Sequence, residues 1–281
     1  MGWLRQEGST DTIGFIGAGN MAEALIKGVI KANLYKPKNI LVNDIRSDRL
    51  ELLTRQHRVQ ASVNSAALAA QVDVLVLSVK PQNMAEALQA IEGHVKHSTL
   101  VISIAAGIKI AKIAAVLGDI PIVRVMPNTP ALISEGASAL FANSRARPMM
   151  HKAISLFSAV GKTVIVDNED LIDAVTAISG SGPAYFFTLM EEMIKTAHDM
   201  GLPAEIAKIL VLQTAKGAAI LAIEGDKRRE SPGELRRKVT SPGGTTEAAL
   251  KVFASRNFGP FIKEALTAAR DRSRQLSGGS T

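Results

Sequence analysis

Between Thr12 and Ile30 the hydrophobic period of the chain changes within a few residues, and that change dictates the architecture around it. Thr12-Ile13-Gly14-Phe15-Ile16 is a short apolar run suited to a buried strand. Gly17-Ala18-Gly19-Asn20-Met21-Ala22 follows, and then Leu25, Ile26, Val29 and Ile30 recur at helical spacing. This is the G-x-G-x-x-A form of the dinucleotide fingerprint. Gly17 permits a tight turn, Gly19 lets backbone approach a pyrophosphate, and the small Ala22 allows the helix to pack closely on the strand. The helix N-terminus, with free N–H groups and the positive end of its dipole, then faces the phosphates. An ordinary strand-to-helix turn is the competing reading; a position at the head of a β-α-β pattern favours the dinucleotide.

The alternation continues. Ile40-Leu41-Val42-Asn43-Asp44 reads as a second strand ending in Asp44, where an acidic side chain can hold a ribose 2′-hydroxyl. Arg46, two residues on, suits a 2′-phosphate instead, so NAD and NADP both stay open. Leu50 to Gln56 reads as a helix, Val59 to Ala61 as a short strand, and Ser65 to Ala70 as a helix with Asn64 as its cap. Asp73 to Val79 is a continuous apolar run of the kind buried in a doubly covered parallel sheet. Its end, Ser78-Val79-Lys80, lies where ligands of open α/β sheets bind, and Pro81 starts the next helix. Leu100 to Ile104 runs into Ala105-Ala106-Gly107, small enough for a ring or ribose to lie close. Ile122 to Met126 ends in Pro127-Asn128-Thr129-Pro130, a stiffened loop at the same sheet edge. With Ala137 to Phe141 and Thr163 to Val166, the pattern predicts about eight strands.

Near Asp167 the composition shifts. Beyond Leu171 only helical periodicity is found, through Tyr185, Phe186, Leu189, Met190, Met193, Ile194 and Ala197, and then from Ala204 to Ile223. Helices this apolar need covering, which predicts a homodimer through this part of the chain. Ser179-Gly180-Ser181-Gly182-Pro183 reads as a glycine turn that ends one helix and starts the next. Asp226 to Pro232 reads as a polar loop, followed by Glu234 to Val239. Pro242-Gly243-Gly244-Thr245-Thr246 then precedes a helix, and its bare N–H groups and two hydroxyls suit a carboxylate. The predicted class is α/β: a flexible extension over 1–11, a Rossmann-type dinucleotide-binding domain over 12–167, an all-helical dimerisation and substrate domain over 168–276, and a disordered tail over 277–281.

Composition removes other chemistries. Cys is absent from all 281 residues, so disulfides and thiolate catalysis are excluded, and a reducing, cytoplasmic setting is expected. The net charge of +7 raises the question of nucleic acid, but aromatics are only 4% and neither basic cluster, Lys227-Arg228-Arg229 nor Arg236-Arg237-Lys238, interleaves with stacking side chains. Neither a nucleic-acid nor a membrane partner is expected, since the apolar runs are cut by charge or Pro short of a span. The five histidines lack metal-ligand spacing and no G-x-S-x-G turn occurs, which leaves cofactor chemistry without a metal.

With these motifs in place the chain resembles the pyrroline-5-carboxylate reductase family. The matching pieces are Ile16 to Met21, Ser78 to Gln82, Ser103 to Gly107, Arg124 to Pro130, Ser179 to Tyr185 and Ser241 to Thr246, in family order from residue 12 to about 275. The resemblance implies reduction of the cyclic imine L-1-pyrroline-5-carboxylate to L-proline by NADPH or NADH. It also implies a helical dimerisation domain and assembly of dimers into larger rings, up to a decamer of five dimers. Gly17, Ala18, Gly19, Asn20, Met21, Asp44, Asn64, Val79, Lys80 and Ala106 would line the cofactor, with Arg46, Ser78, Pro81, Ala105 and Asn128 beside them. Glu169, Gly244, Thr245 and Thr246 would face the substrate, with Thr246 hydrogen-bonding the ring nitrogen as the catalytic residue. Two features depart from the family pattern: Asp44 followed by Arg46, and a 226–231 loop that is a few residues longer than the family's. The nearest enzymatic rival, a β-hydroxyacid dehydrogenase, would need a lysine soon after Ser179, whereas the first is Lys195. A dinucleotide sensor would need no second anion site.

Overall fold

The computed structural model describes residues 11–278, so most of the expected extension and the last three residues of the expected tail lie outside the described part. Two compact units emerge, one of residues through Ser181 together with those from Ala269 onward, the other Gly182–Ala268.

The first unit alternates strands and helices: β1 Ile13–Ile16, α1 Asn20–Lys31, β2 Ile40–Asn43, α2 Ser47–His57, β3 Gln60–Ala61, α3 Ser65–Gln71, β4 Val74–Leu77, α4 Met84–Gln89, β5 Leu100–Ser103, α5 Ile110–Leu117, β6 Ile122–Met126, β7 Gly136–Ala142, α6 Met150–Ser158, β8 Gly161–Ile165 and α7 Leu171–Val175. The eight strands form one sheet in the order β3-β2-β1-β4-β5-β6-β7-β8, parallel throughout except where β7 runs against β6. Alternate side chains enter opposite cores. Phe15, Val74 and Val76 face Leu25, Ile26 and Phe157, whereas Ile16, Leu75 and Leu77 face Leu68, Met84, Leu88 and Ile113. Both faces are covered, which is why the strands read as unbroken apolar runs.

The expected boundary at 167/168 falls before α7, yet α7 belongs with the sheet. Its Ile172 and Asp173 are buried. Ser277, expected in the tail, donates to the Ser273 carbonyl at 2.9 Å, and Asp11, expected in the extension, meets Lys152 at 2.6 Å.

The second unit is helical: α8 Gly182–Asp199, α9 Ala204–Lys227, α10 Pro232–Lys238, α11 Thr245–Ser255 and the first part of α12 Phe258–Leu276. The expected 226–232 loop shrinks to four residues, because α9 runs on to Lys227 and Ser231 with Glu234 forms a reciprocal capping box for α10. Helix α9 is long and apolar enough to cross a membrane by length and composition, in contrast to the expectation that every apolar run falls short. Apolar side chains such as Phe186, Phe187, Ile209 and Ile223 are more than half exposed on this unit.

Before α8 the chain does not break at a simple glycine turn. Thr176–Gly180 is one turn of π-helix, with the Ser181 N–H donating to the Thr176 carbonyl at 2.8 Å. Pro183 has no N–H to give the Ser179 carbonyl one helical turn back. The side-chain amide of Asn128 supplies it instead, at 3.0 Å.

Candidate active site

The strand order reverses between β1 and β4, and the turns after these two strands meet there. Gly17 has φ +96°, and a Cβ on it would sit 2.7 Å from the Ser78 backbone, so this position admits glycine alone. The Ser78 hydroxyl donates to the carbonyls of Ile16 and Gly17, at 3.0 and 2.7 Å, and the Gly17 N–H donates to Asn43 at 2.8 Å. The glycine turn is thus pinned from both flanking strands. It opens on a cleft of about 510 Å³ to which Gly17, Gly19, Asn20, Asp44, Arg46, Ser78, Val79 and Lys80 all contribute.

Asp44 is turned toward the glycine turn. One carboxylate oxygen accepts from the Ala18 N–H at 2.5 Å and the other from the Arg46 N–H at 2.8 Å. Arg46 itself reaches Asp48 at 3.4 Å and stays exposed. From α2, the Arg49 guanidinium donates to the Ala18 carbonyl at 2.8 Å and to Glu23 at 2.6 Å, tying the turn to α1 and α2 together.

Other expected cofactor residues do structural work. Ala18 and Ala105 have buried side chains, and half-buried Met21 packs against the core. Asn64 caps α3, accepting from the Ala67 N–H at 2.7 Å, and Pro81 opens a single 3-10 turn. Ala106 is half-buried on the loop after β5. Asn128, besides donating to Ser179, accepts from the Ala137 N–H at 2.8 Å.

Glu169, expected to face substrate, is tied into the fold through one carboxylate oxygen. That oxygen accepts from the Ile110 N–H at the start of α5, at 2.8 Å, and from the Arg124 guanidinium at 3.1 Å. Next to it, hydrogen bonding and charge from Lys109 hold the Asp170 carboxyl below its usual range. In the helical unit, Gly244 caps α11 without a side-chain hydrogen bond, which leaves the first N–H groups of Thr245 and Thr246 directed outward. The Gly243 N–H is already taken by Glu247, at 2.9 Å.

Residues 169–276 match the family description "Pyrroline-5-carboxylate reductase dimerisation", and residues 12–107 match "NADP oxidoreductase coenzyme F420-dependent". A pyrroline-5-carboxylate reductase of Pseudomonas aeruginosa is 45% identical over 96% of this chain and 98% of its own. The solved pyrroline-5-carboxylate reductase of Coxiella burnetii is 40% identical and superposes with a TM-score of 0.86 over 97% of this chain and 100% of its own. The chain belongs to the pyrroline-5-carboxylate reductase family. Another solved structure, the Plasmodium falciparum pyrroline carboxylate reductase with NADP bound, is 30% identical and covers 96% of this chain and 99% of its own, with a TM-score of 0.85.

Nicotinamide dinucleotides are the reductants of pyrroline-5-carboxylate reductases, and the cleft fits one. A Cβ at Gly19 would meet nothing within 4 Å, so the turn is an open cradle, and α1 begins there with no side-chain cap. Those are the features that a pyrophosphate requires. The cleft also includes Asn43, Ile45, Arg49, Ser65, Asn83 and Glu86, which motif reading passed over. Ile45 is 92% exposed, an apolar surface beside Asp44 that suits the flat face of a base. An isolated isoleucine after a strand end was its only sequence signal.

Proposed function

We propose that this protein reduces L-1-pyrroline-5-carboxylate to L-proline at the expense of NADPH or NADH, the last step of proline biosynthesis. Membership of the reductase family over nearly the whole chain carries this reading, and the open cradle at Gly17–Asn20 supports it. Gly17, Gly19, Asn20, Val79 and Lys80 would hold the dinucleotide, which supplies hydride to the carbon of the C=N bond. The ring nitrogen gains its proton from solvent, because an imine that arrives as an iminium needs no strong acid from the protein. At the second anion site, the N–H groups at the start of α11 bind the substrate carboxylate. The Thr246 hydroxyl hydrogen-bonds the ring nitrogen and orients the C=N bond.

The family forms oligomers through its helical domain, and the exposed apolar side chains of α8 and α9 suit burial against a second copy. A homodimer is the unit we propose, with five dimers forming a decamer; light scattering on the 29.8 kDa chain distinguishes the two. Loss of reduced-nicotinamide absorbance on adding pyrroline-5-carboxylate, measured with NADH and NADPH in parallel, tests the activity. No imine-dependent oxidation by folded oligomer with either coenzyme would refute it.

A further inference from the structure

A buried polar cluster joins three segments far apart in sequence. Arg124, on β6, is 1% exposed; beyond its bond to Glu169, its second terminal nitrogen lies 3.9 Å from Asp173, which is 2% exposed. Asp173 in turn accepts from the Ser273 hydroxyl at 2.7 Å, and more weakly from Ser277 at 3.5 Å. Ser273 and Ser277 stand on the last turns of α12 and the residue after it. On the next residue inward, Leu276 meets the loop after β5: a Cβ on Gly107, whose φ is +71°, would sit 2.9 Å from the Leu276 Cβ and 3.2 Å from its carbonyl carbon.

These contacts bracket one loop. Residues 104–109 leave β5 at the carboxyl edge of the sheet, pass Ala106 and Gly107, and enter α5, whose first N–H is held by Glu169. Glu169 fixes the loop at its α5 end, and Leu276 presses on it at Gly107. Leu276 is mostly exposed and has little core of its own to hold it, so its place depends on the Ser273–Asp173 bond one turn earlier. A buried hydroxyl-to-carboxylate bond of this kind is strong and directional.

We propose that the end of α12, anchored through Ser273 to Asp173, is a positioning strap that holds the Ala105–Gly107 loop, which leaves the strand beside β4 at the sheet edge where the Ser78–Lys80 turn lines the cleft, in the conformation that admits the coenzyme. Ser273 and Leu276 act through the loop and touch no reactant. The proposal rests on the reductase reading only for the identity of the ligand, which is why its test is a binding measurement.

Full-length Ser273→Ala, Ser273→Thr and Gly107→Ala are titrated with NADPH and NADH by calorimetry, without imine, and their Tm values are recorded. If Ser273→Ala leaves the loop competent about one fifth of the time, Kd for the dinucleotide rises about fivefold. The KM for dinucleotide rises with it, whereas kcat at saturating dinucleotide stays at the wild-type value, and Ser273→Thr restores Kd. Gly107→Ala, which crowds Leu276 directly, weakens binding in the same way and carries the test if Ser273→Ala fails to fold. A lower Tm with unchanged Kd in both variants would make the contact a stabilising one and nothing more, and overturn the proposal. Wild-type protein that binds dinucleotide but does not oxidise it with imine would refute the proposed activity alone, and the calorimetric comparison would still judge the strap.

Discussion

The carboxylate of Asp44 accepts a hydrogen bond from the backbone N–H of Ala18 at 2.5 Å, so the acid that ends β2 is held against the glycine turn that follows β1. Asp44 and the exposed Arg46, two residues on, therefore both line the cleft, at the end proposed here to take the ribose. Asp44→Asn keeps an acceptor for Ala18 and removes the charge. At a few ångströms in a partly solvated cleft, such a charge acts on a phosphate with about 1.4 kcal/mol, or tenfold. Asp44→Asn is expected to raise kcat/KM for NADPH relative to NADH by that factor, and Arg46→Ala to shift the ratio the opposite way. Steady-state kinetics with both coenzymes check this; an unmoved ratio in both variants would place the 2′ position elsewhere.

Thr246 stands in the first turn of α11, half-buried, next to N–H groups that no side chain caps. If its hydroxyl orients the ring nitrogen, Thr246→Val loses one hydrogen bond to a charged group, about 1.5 kcal/mol, and kcat falls roughly tenfold. Thr246→Ser should retain most of the rate. Equal turnover for the valine variant and the wild type would remove Thr246 from the mechanism.

Much of the nucleotide unit was legible because its signals are local. Gly17 declares its turn, the run from Asp73 to Val79 declares a strand buried on both faces, and Asn64 before Ser65 declares a cap. The capping box of α10 was equally local, in Ser231-Pro-Gly-Glu234, yet the charge around it read as loop. Pro183 announced a missing donor, but nothing near it in sequence pointed to Asn128 as the replacement. Glu169 shows the same limit. Its position after the last strand suits a ligand site, and only the fold brings Arg124 from β6 and the N-terminus of α5 to its carboxylate. Long-range polar partners leave no periodicity to read.

The Arg124–Glu169 pair gives these two roles different consequences. Arg124 is buried, and removing Glu169 leaves its guanidinium with Asp173 at 3.9 Å, too far for a hydrogen bond. Glu169→Ala should cost about 3 kcal/mol of stability, as expected when one side of a buried pair is deleted. Glu169→Gln, which still accepts from Ile110, should cost less. The KM for imine should stay at the wild-type value in the glutamine variant. A raised imine KM with unchanged thermal stability would instead return Glu169 to the substrate.

Asp73 contributes to the acid side of the stability profile. Burial alone would raise its pKa, but hydrogen bonds from the Thr12 N–H at 2.8 Å and hydroxyl at 2.9 Å, with Lys96 and Lys152 nearby, outweigh that and hold it below the usual value. The folded protein therefore binds this proton less readily than the unfolded chain, whose aspartate titrates near 3.9. The bond from Thr12, which ties the start of β1 to the residue before β4, contributes fully above that pH and is lost as pH falls through the lower folded value. Asp73→Asn cannot change charge, so its Tm should lie below wild type at pH 7, with the difference narrowing toward pH 3. Thermal unfolding at half-unit steps across that range checks the convergence, and parallel curves would assign the acid loss to other carboxylates.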